Sequence, residues 1–480
     1  MFNYKPVLFI IGVFLNVLAV MMLLPTALAF WDGEHGTVQF LESAALTYAA
    51  ALLCMAKGSR ELGRFKVRDM FLLTSMTWVL VSGFAALPLV FVEHISYTDA
   101  FFETMSGITT TGSTVLTGLD TMPHSILLWR SLLQWLGGVG FIVMGVAVLP
   151  FLGVGGMRLF RTESSEWTDK SAPRTATLAR DILWVYLTLT GLCLLCYWLS
   201  GMNWFDAVNH AMTTISTGGY STSDASMAHF GKASHWVGTL FMMTGGMPFL
   251  LLVNAVRKNH WNLWRDEQFR GYVLFLTTVS VVLATWMTLH SGEPFLDALR
   301  MSAFNVVSVV TTTGYALTDY SLWGPFAVTA FLLLMFVGGC SGSTSGGIKI
   351  FRFQLAAGML HLQLKQLIHP NAVFVQNYNR RPVSDDIIRS LVAFSFAFFL
   401  VVAFITLALG LLGLDMVTAF TASITAVTNV GPGLGDIIGP AGNFASLPDT
   451  AKWLLALGML LGRLEILTVV AVLTPSFWRH

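Results

Sequence analysis

Apolar runs of about 20 residues recur along the chain, among them Val7–Phe30, Met70–Val92 and Leu391–Leu412. At 1.5 Å of rise per residue, a helical run of that length crosses a hydrocarbon core of about 30 Å. Charged residues make up 11% of the 480 positions, against about a quarter in soluble domains. That is too little charge to clothe a water-soluble body of this size. The fold class is therefore an all-α polytopic membrane protein. The net charge of +1 gives no footprint for nucleic acid.

Ten spans are expected near residues 6–29, 38–56, 70–92, 126–152, 181–200, 236–256, 271–289, 325–351, 388–412 and 452–474. Ala27-Leu28-Ala29 resembles a signal-peptidase site. The preceding apolar stretch is longer than a signal h-region and only Lys5 stands before it, so a retained first helix is expected. Basic residues cluster after every second span: Lys57, Arg60, Arg64, Lys66 and Arg68; Arg158, Arg161, Lys170, Arg174 and Arg180; Arg257, Lys258, Arg265 and Arg270; Lys365, Arg380 and Arg381. The positive-inside rule places these loops and both termini in the cytoplasm. Cys193 and Cys196 have redox or metal spacing, but they lie in an apolar run without a Cys/His cluster and are read as packing residues.

The outward connections after spans three, five, seven and nine share one pattern. An amphipathic stretch leads into Thr110-Thr111-Gly112, Ser216-Thr217-Gly218, Thr312-Thr313-Gly314 and Asn429-Val430-Gly431. These glycines are separated by 106, 96 and 117 residues, and nine residues before them stand Glu103, Asn209, Asn305 and, breaking the pattern, Ala422. A period near 100 residues is an internal repeat. The resulting architecture has two N-terminal helices (1–68) and four TM–pore-loop–TM repeats at 69–156, 157–256, 257–360 and 361–480. Each repeat crosses, dips back from outside and crosses again. All four share one orientation and can surround a pseudo-fourfold axis along the membrane normal.

Non-helical backbone at membrane depth must be buried in protein or line a water-filled cavity. Rings of backbone carbonyls replace the water shell of a dehydrating cation without a formal charge. Glycine supplies the backbone angles cheaply, and threonine adds a hydroxyl. Uncharged oxygens suit a weakly hydrated monovalent ion better than magnesium, which keeps its waters. A preference for potassium over sodium does not follow from this step.

These repeats and turns resemble the Trk/Ktr/HKT superfamily of potassium transporters, specifically its bacterial TrkH branch, which carries two extra N-terminal spans. The resemblance implies a pore on the fourfold axis, K⁺ selectivity with some Rb⁺ permeation, and a bacterial inner-membrane location. It also implies a homodimer in lipid, with one pore per protomer, and a cytosolic TrkA-type ring of NAD- and nucleotide-binding subunits. The permeant potassium ion is the ligand expected, with no organic cofactor bound by this chain. Gly112 matches the potassium-type pattern, since some plant relatives with Ser there prefer sodium. Asn429 and Val430 depart most from it.

Span eight continues through Gly338-Gly339-Cys340-Ser341-Gly342-Ser343-Thr344-Ser345-Gly346-Gly347-Ile348-Lys349. Five glycines in ten residues disfavour a regular helix by about 1 kcal/mol each relative to alanine, so a break and an intramembrane loop are expected. The family has a gating loop here and an arginine beneath the filter, which corresponds to Arg463. Arg463 stands inside span ten, where a charge is costly against lipid, and is expected to face the pore or pair with a carboxylate. Glu465, two residues on, belongs to another helix face. Two readings stay open for Lys349, part of the gate or a snorkelling interfacial lysine. Two also stay open for Glu103, a cation attractor or a hydrogen-bonded structural carboxyl. Asp99, Asp206 and Asp297 are expected as N-caps.

Channel-like uptake is the leading reading, with an H⁺- or Na⁺-coupled potassium symporter as the alternative. An enzyme is disfavoured, because the eleven histidines are scattered and no zinc, nucleophile-elbow or paired-carboxylate motif occurs. Without a Gly-x-Gly-x-x-Gly after a strand, any nucleotide control must come from a partner, for which Met157–Arg180, Arg257–Arg270 and His361–Arg389 are the candidate docking surface.

Overall fold

The computed structural model of the protein describes residues 4–59, 67–147, 172–257 and 260–478. Arg60, Arg64, Lys66, Arg158, Arg161, Lys170 and Lys258 lie outside them, as do the end of span four and most of the proposed docking stretch Met157–Arg180.

Helices α1 (Tyr4–Asp32) and α2 (Thr37–Lys57) form an antiparallel hairpin. Their close approach is set at Gly12, where a Cβ would stand 2.8 Å from the Ala51 carbonyl oxygen. Ala27–Ala29 lie inside α1. The first unit follows as α3 (Val67–Ala85) and α4 (Leu87–Glu93), a short inner helix α5 (Tyr97–Ile108) and α6 (His124–Ala147). The second comprises α7 (Ala172–Leu199), inner helix α8 (Trp204–Ile215), and α9 (Lys232–Gly245) with α10 (Phe249–Arg257). The third has α11 (Glu267–Ser291), inner helix α12 (Phe295–Val310), α13 (Pro325–Leu334) and α14 (Ile350–Ile368). The fourth has α15 (Asp385–Leu411), inner helix α16 (Met416–Thr428), and α17 (Asp449–Arg463) with α18 (Ile466–Leu473).

Among the described residues, seven helices are long and apolar enough to cross a membrane, or nine if each bent pair counts as one span. The expected span eight is split between α13 and α14, as the glycine run requires. Two further breaks went unforeseen: α9 and α10 meet at 96°, and α17 and α18 at 116°. The first follows from Gly245-Gly246-Met247-Pro248, because proline cannot continue the helix. The second turns on Glu465, a non-glycine residue at φ +58°.

The distribution of polarity is inverted relative to a soluble protein. Phe396, Phe399, Phe404 and Leu407 on α15 are exposed, whereas Thr104, Ser106, Thr213, Ser308 and Ser423 on the inner helices are fully buried. Each inner helix packs inside its own unit, and three of the four also pack on the second helix of the preceding unit: α5 on α17, α8 on α6, and α12 on α9. The contact of α5 with α17 closes the ring between the fourth unit and the first. Cys193 and Cys196 are free thiols on α7.

Candidate functional site

The inner helices start on caps. Ser96, Asn203 and Asp415 accept hydrogen bonds from the N–H groups of Asp99, Asp206 and Thr418, while Pro294 begins the third. Asp99, Asp206 and Asp297 are therefore not the N-caps expected from sequence; each stands three residues after the cap. Asp99 and Asp206 accept from the cap side chains, Ser96 Oγ at 2.8 Å and Asn203 Nδ2 at 2.7 Å. Asp297 pairs with Lys232 at 2.7 Å and with Arg300 at 3.1 Å.

All four inner helices end in the same turn. Thr110, Thr217, Thr312 and Asn429 adopt left-handed backbone angles, with φ of +53°, +51°, +56° and +59°. The next N–H reaches back five residues: Thr111 to Ser106, Gly218 to Thr213 and Thr313 to Ser308 at 2.8 Å, and Val430 to Thr425 at 3.1 Å. A positive-φ glycine comes next in each, at 112, 219, 314 and 431. The second unit is thus offset by one from the sequence alignment. Its anchor is Gly219, its equivalent of Thr110-Thr111-Gly112 is Thr217-Gly218-Gly219, and Ser216 corresponds to Thr109 and Thr311. Two adjacent glycines made the string ambiguous, and only the backbone angle separates them. The residue nine before the anchor becomes His210 in place of Asn209.

These turns meet one another around a closed circuit. A Cβ on Gly112 would stand 2.4 Å from the Gly218 oxygen, and one on Gly219 1.8 Å from that of Thr313. One on Gly314 would stand 2.1 Å from the Val430 oxygen, and one on Gly431 2.7 Å from that of Thr111. Each anchor glycine therefore faces the carbonyl that precedes the anchor of the next unit, and the fourth returns to the first. The oxygens at the four corresponding positions, of Thr111, Gly218, Thr313 and Val430, thus each lie against a neighbouring unit's anchor glycine, and no side chain larger than hydrogen fits at the contacts.

Braces around the turns explain the other recurring residues. Glu103 is fully buried, accepts from Val115 N at 2.9 Å and pairs with Arg130 at 2.9 Å. Arg130 also donates to the Ser221 carbonyl and lies 4.1 Å from the Tyr220 ring centre. Its partners make Glu103 a structural carboxyl, which decides between the two readings. Asn305 holds Leu317 N in the third unit, and His210 holds Ser221 in the second. Ala422 has no polar side chain, and its neighbour Thr421 accepts from Leu434 N at 3.2 Å. The function moved by one residue. Gln134 of α6 donates to the Gly218 oxygen at 2.6 Å and accepts from Tyr220 N.

Beneath the turns lies the glycine-rich segment of the third unit. Val337–Gly338 (β1) pairs in parallel with Ile348–Lys349 (β2), so the nine residues between them form a closed loop. Cys340 N bonds the Gly246 oxygen and Phe249 N bonds the Gly342 oxygen, which seats the loop in the break between α9 and α10. Ser341 N bonds Gln268, and the hydroxyls of Ser343 and Ser345 bond each other. Thr344 Oγ1 donates to the Ile215 and Gly245 carbonyls and accepts from Thr217 Oγ1 at 3.1 Å. Gly346 N donates to Thr312 Oγ1 at 2.7 Å, and a Cβ on Gly346 would stand 2.4 Å from the Thr428 oxygen. Gly339 and Gly347 complete the loop; Gly347 sits at φ +69° against the Gly338 backbone. The loop thus touches the turns of the second, third and fourth units.

Arg463 is 1% exposed and donates from Nη1 to the Thr344 oxygen at 2.7 Å, with its guanidinium 4.0 Å from the Phe141 ring centre. It has no carboxylate partner among the described residues. Glu465 is held by Arg352 at 2.7 Å, and Arg352 in turn lies 3.6 Å from the Phe394 ring centre. Lys349 is buried and donates to the Ser345 oxygen, so it does not snorkel to an interface. A positional equivalence places Arg463 further. Gly137, Gly245 and Gly462 each press on the last turn of their own inner helix, at the Ile108, Ile215 and Val427 carbonyls. The next residue is Gly138, Gly246 and, in the fourth unit, Arg463. Sequence reading missed Arg130, Gln134 and Arg352; the signal for all three was a polar or charged residue inside an otherwise apolar run.

A family model described as a cation transport protein, TrkH, matches residues 35–478. The Trk system potassium uptake protein TrkI of Halomonas elongata is 51% identical over 100% of this chain and 98% of that protein. The Trk system potassium uptake protein TrkH of Salmonella typhimurium is 37% identical over 100% of both. The crystal structure of the potassium transporter TrkH from Vibrio parahaemolyticus superposes with a TM-score of 0.93 at 34% identity, covering 100% of both chains. These relatives are named as uptake proteins and transporters, not as enzymes. The chain belongs to the TrkH family of cation transport proteins.

Proposed function

We propose that this protein carries potassium into the bacterial cell across the inner membrane, through a channel-like pore between its four repeats. The observation that carries the reading is the circuit of four equivalent carbonyls at 111, 218, 313 and 430, each against the neighbouring anchor glycine. Uncharged oxygens arranged this way replace the hydration shell of a weakly hydrated cation and still release it. The filter comprises Thr110, Thr111 and Gly112; Thr217, Gly218 and Gly219, with Ser216 beside them; Thr312, Thr313 and Gly314; and Asn429, Val430 and Gly431.

The loop from Gly338 to Lys349 and Arg463 form the gate. The loop occupies the space directly below the filter turns, and Arg463 holds it by the Thr344 carbonyl. A fixed guanidinium also repels a cation passing within about 6 Å by roughly 3 kcal/mol at an effective dielectric of 20, which slows passage by about two orders of magnitude. Opening requires the loop to leave and Arg463 to swing with it. The alternation of basic loops supports cytoplasmic termini and a gate on the cytoplasmic side. The Trk-system names of the relatives support further components; the family resemblance makes these a second copy of the chain, in a homodimer in lipid, and a TrkA-type cytosolic ring that senses nucleotide.

The test is ⁸⁶Rb⁺ uptake by the reconstituted protein with K⁺, Na⁺ and Li⁺ as competitors. Competition by K⁺ but not by Na⁺ or Li⁺, without an imposed proton or sodium gradient, is expected. Uptake that requires such a gradient contradicts the channel reading.

A further inference from the structure

Behind the loop, Lys349, Arg352, Arg463 and Glu465 line one small cavity together with Phe141 and Phe394. Three basic groups face one acid there, a formal excess of two positive charges in a region shielded from water. Glu465 is committed to Arg352 at 2.7 Å. Arg463 spends Nη1 on the Thr344 carbonyl, while its Nε and Nη2 are buried without a partner among the described residues. Those two N–H bonds lie side by side on one edge of the planar guanidinium, the edge that forks onto a single anionic acceptor. Leaving charged donors buried and unpaired costs more than leaving neutral ones so.

We infer that this cavity binds a small monovalent anion of halide size, held by the Nε–H and Nη2–H fork of Arg463. A water molecule would satisfy both N–H groups but leave the excess charge untouched, whereas an anion answers both. The cavity has room for one small occupant only, which rules out phosphate and nucleotides; chloride is the abundant monovalent anion nearest that size. Gly346, Gly347 and Lys349 of the docked loop form part of the cavity wall, so chloride occupancy and the docked loop stabilise each other by linkage. Chloride then favours the docked loop, while screening part of the Arg463 charge.

Crystals of the full-length protein grown in sodium bromide test the site directly. A bromide anomalous peak within hydrogen-bonding distance of Arg463 Nε and Nη2 is expected; water density alone at that position overturns the inference. In solution, the detergent-solubilised protein is heated in potassium chloride and in potassium gluconate at equal ionic strength. The chloride-dependent rise in melting midpoint is expected for the natural protein. In Arg463→Lys, which keeps the charge and removes the fork, half-saturation should need at least about tenfold more chloride. Equal chloride dependence in the two proteins contradicts the site. Neither readout measures ion flux, so failure here leaves the permeation reading standing, and failure of permeation leaves this site testable.

Discussion

Gly219→Ala isolates the geometric argument for the central ring. Alanine at φ +79° costs about 1–2 kcal/mol in backbone strain alone. Gly118 offers the same strain without the clash: its φ is +75°, and the nearest atom to an added Cβ is Thr121 Oγ1 at 3.8 Å. At Gly219 the new methyl would stand 1.8 Å from the Thr313 oxygen. Real Cβ contacts do not fall below 3.0 Å, so this carbonyl must retreat by about 1.2 Å. In the proposed filter, this displaces one of the four oxygens that would face the ion. Each 1.4 kcal/mol lost from the difference between K⁺ and Na⁺ is a factor of ten, so a selectivity loss of at least about tenfold is expected. The assay is ⁸⁶Rb⁺ uptake into proteoliposomes with Na⁺ as competitor, run on Gly219→Ala and Gly118→Ala side by side. Gly118→Ala should lower thermal stability slightly and keep natural selectivity. Indistinguishable selectivity in the two variants refutes the reasoning.

Arg463→Ala removes the bond to the Thr344 carbonyl and the positive charge, and should raise Rb⁺ uptake without any regulatory partner by about tenfold or more; unchanged uptake removes the gate role. Glu103→Gln strands the buried Arg130 and should destabilise the protein by about 3–5 kcal/mol, read as a lower melting midpoint in detergent, while Glu103→Gln combined with Arg130→Met should recover much of the loss. Thr421→Ala leaves Leu434 N without its acceptor and should cost about 1–3 kcal/mol, whereas Ala422→Ser, one residue away, should leave the melting midpoint near that of the natural protein.

Much of this was legible because helices in lipid are written in long apolar runs, and because four Thr/Gly turns repeat at a near-constant interval. The break in the third unit was legible for a compositional reason: five glycines cannot hold a helix. What stayed hidden depended on backbone angle or on partners distant in sequence. Gly218 and Gly219 are indistinguishable as letters, and only positive φ at 219 identifies the anchor. The bend at Glu465 has no glycine or proline at the turning residue, and the Arg352–Glu465 pair joins residues 113 positions apart. The aspartates at 99 and 206 looked like caps because capping and first-turn positions favour the same residue types. Arg463 was visible as a misplaced charge, but its role as a clasp on Thr344 needed the fold.

The most direct test of the central claim is anomalous diffraction from crystals soaked in thallium or rubidium salts. Density is predicted on the axis between the carbonyl oxygens of Thr111, Gly218, Thr313 and Val430. Heavy-cation density confined to other parts of the molecule, with none at that ring, contradicts it.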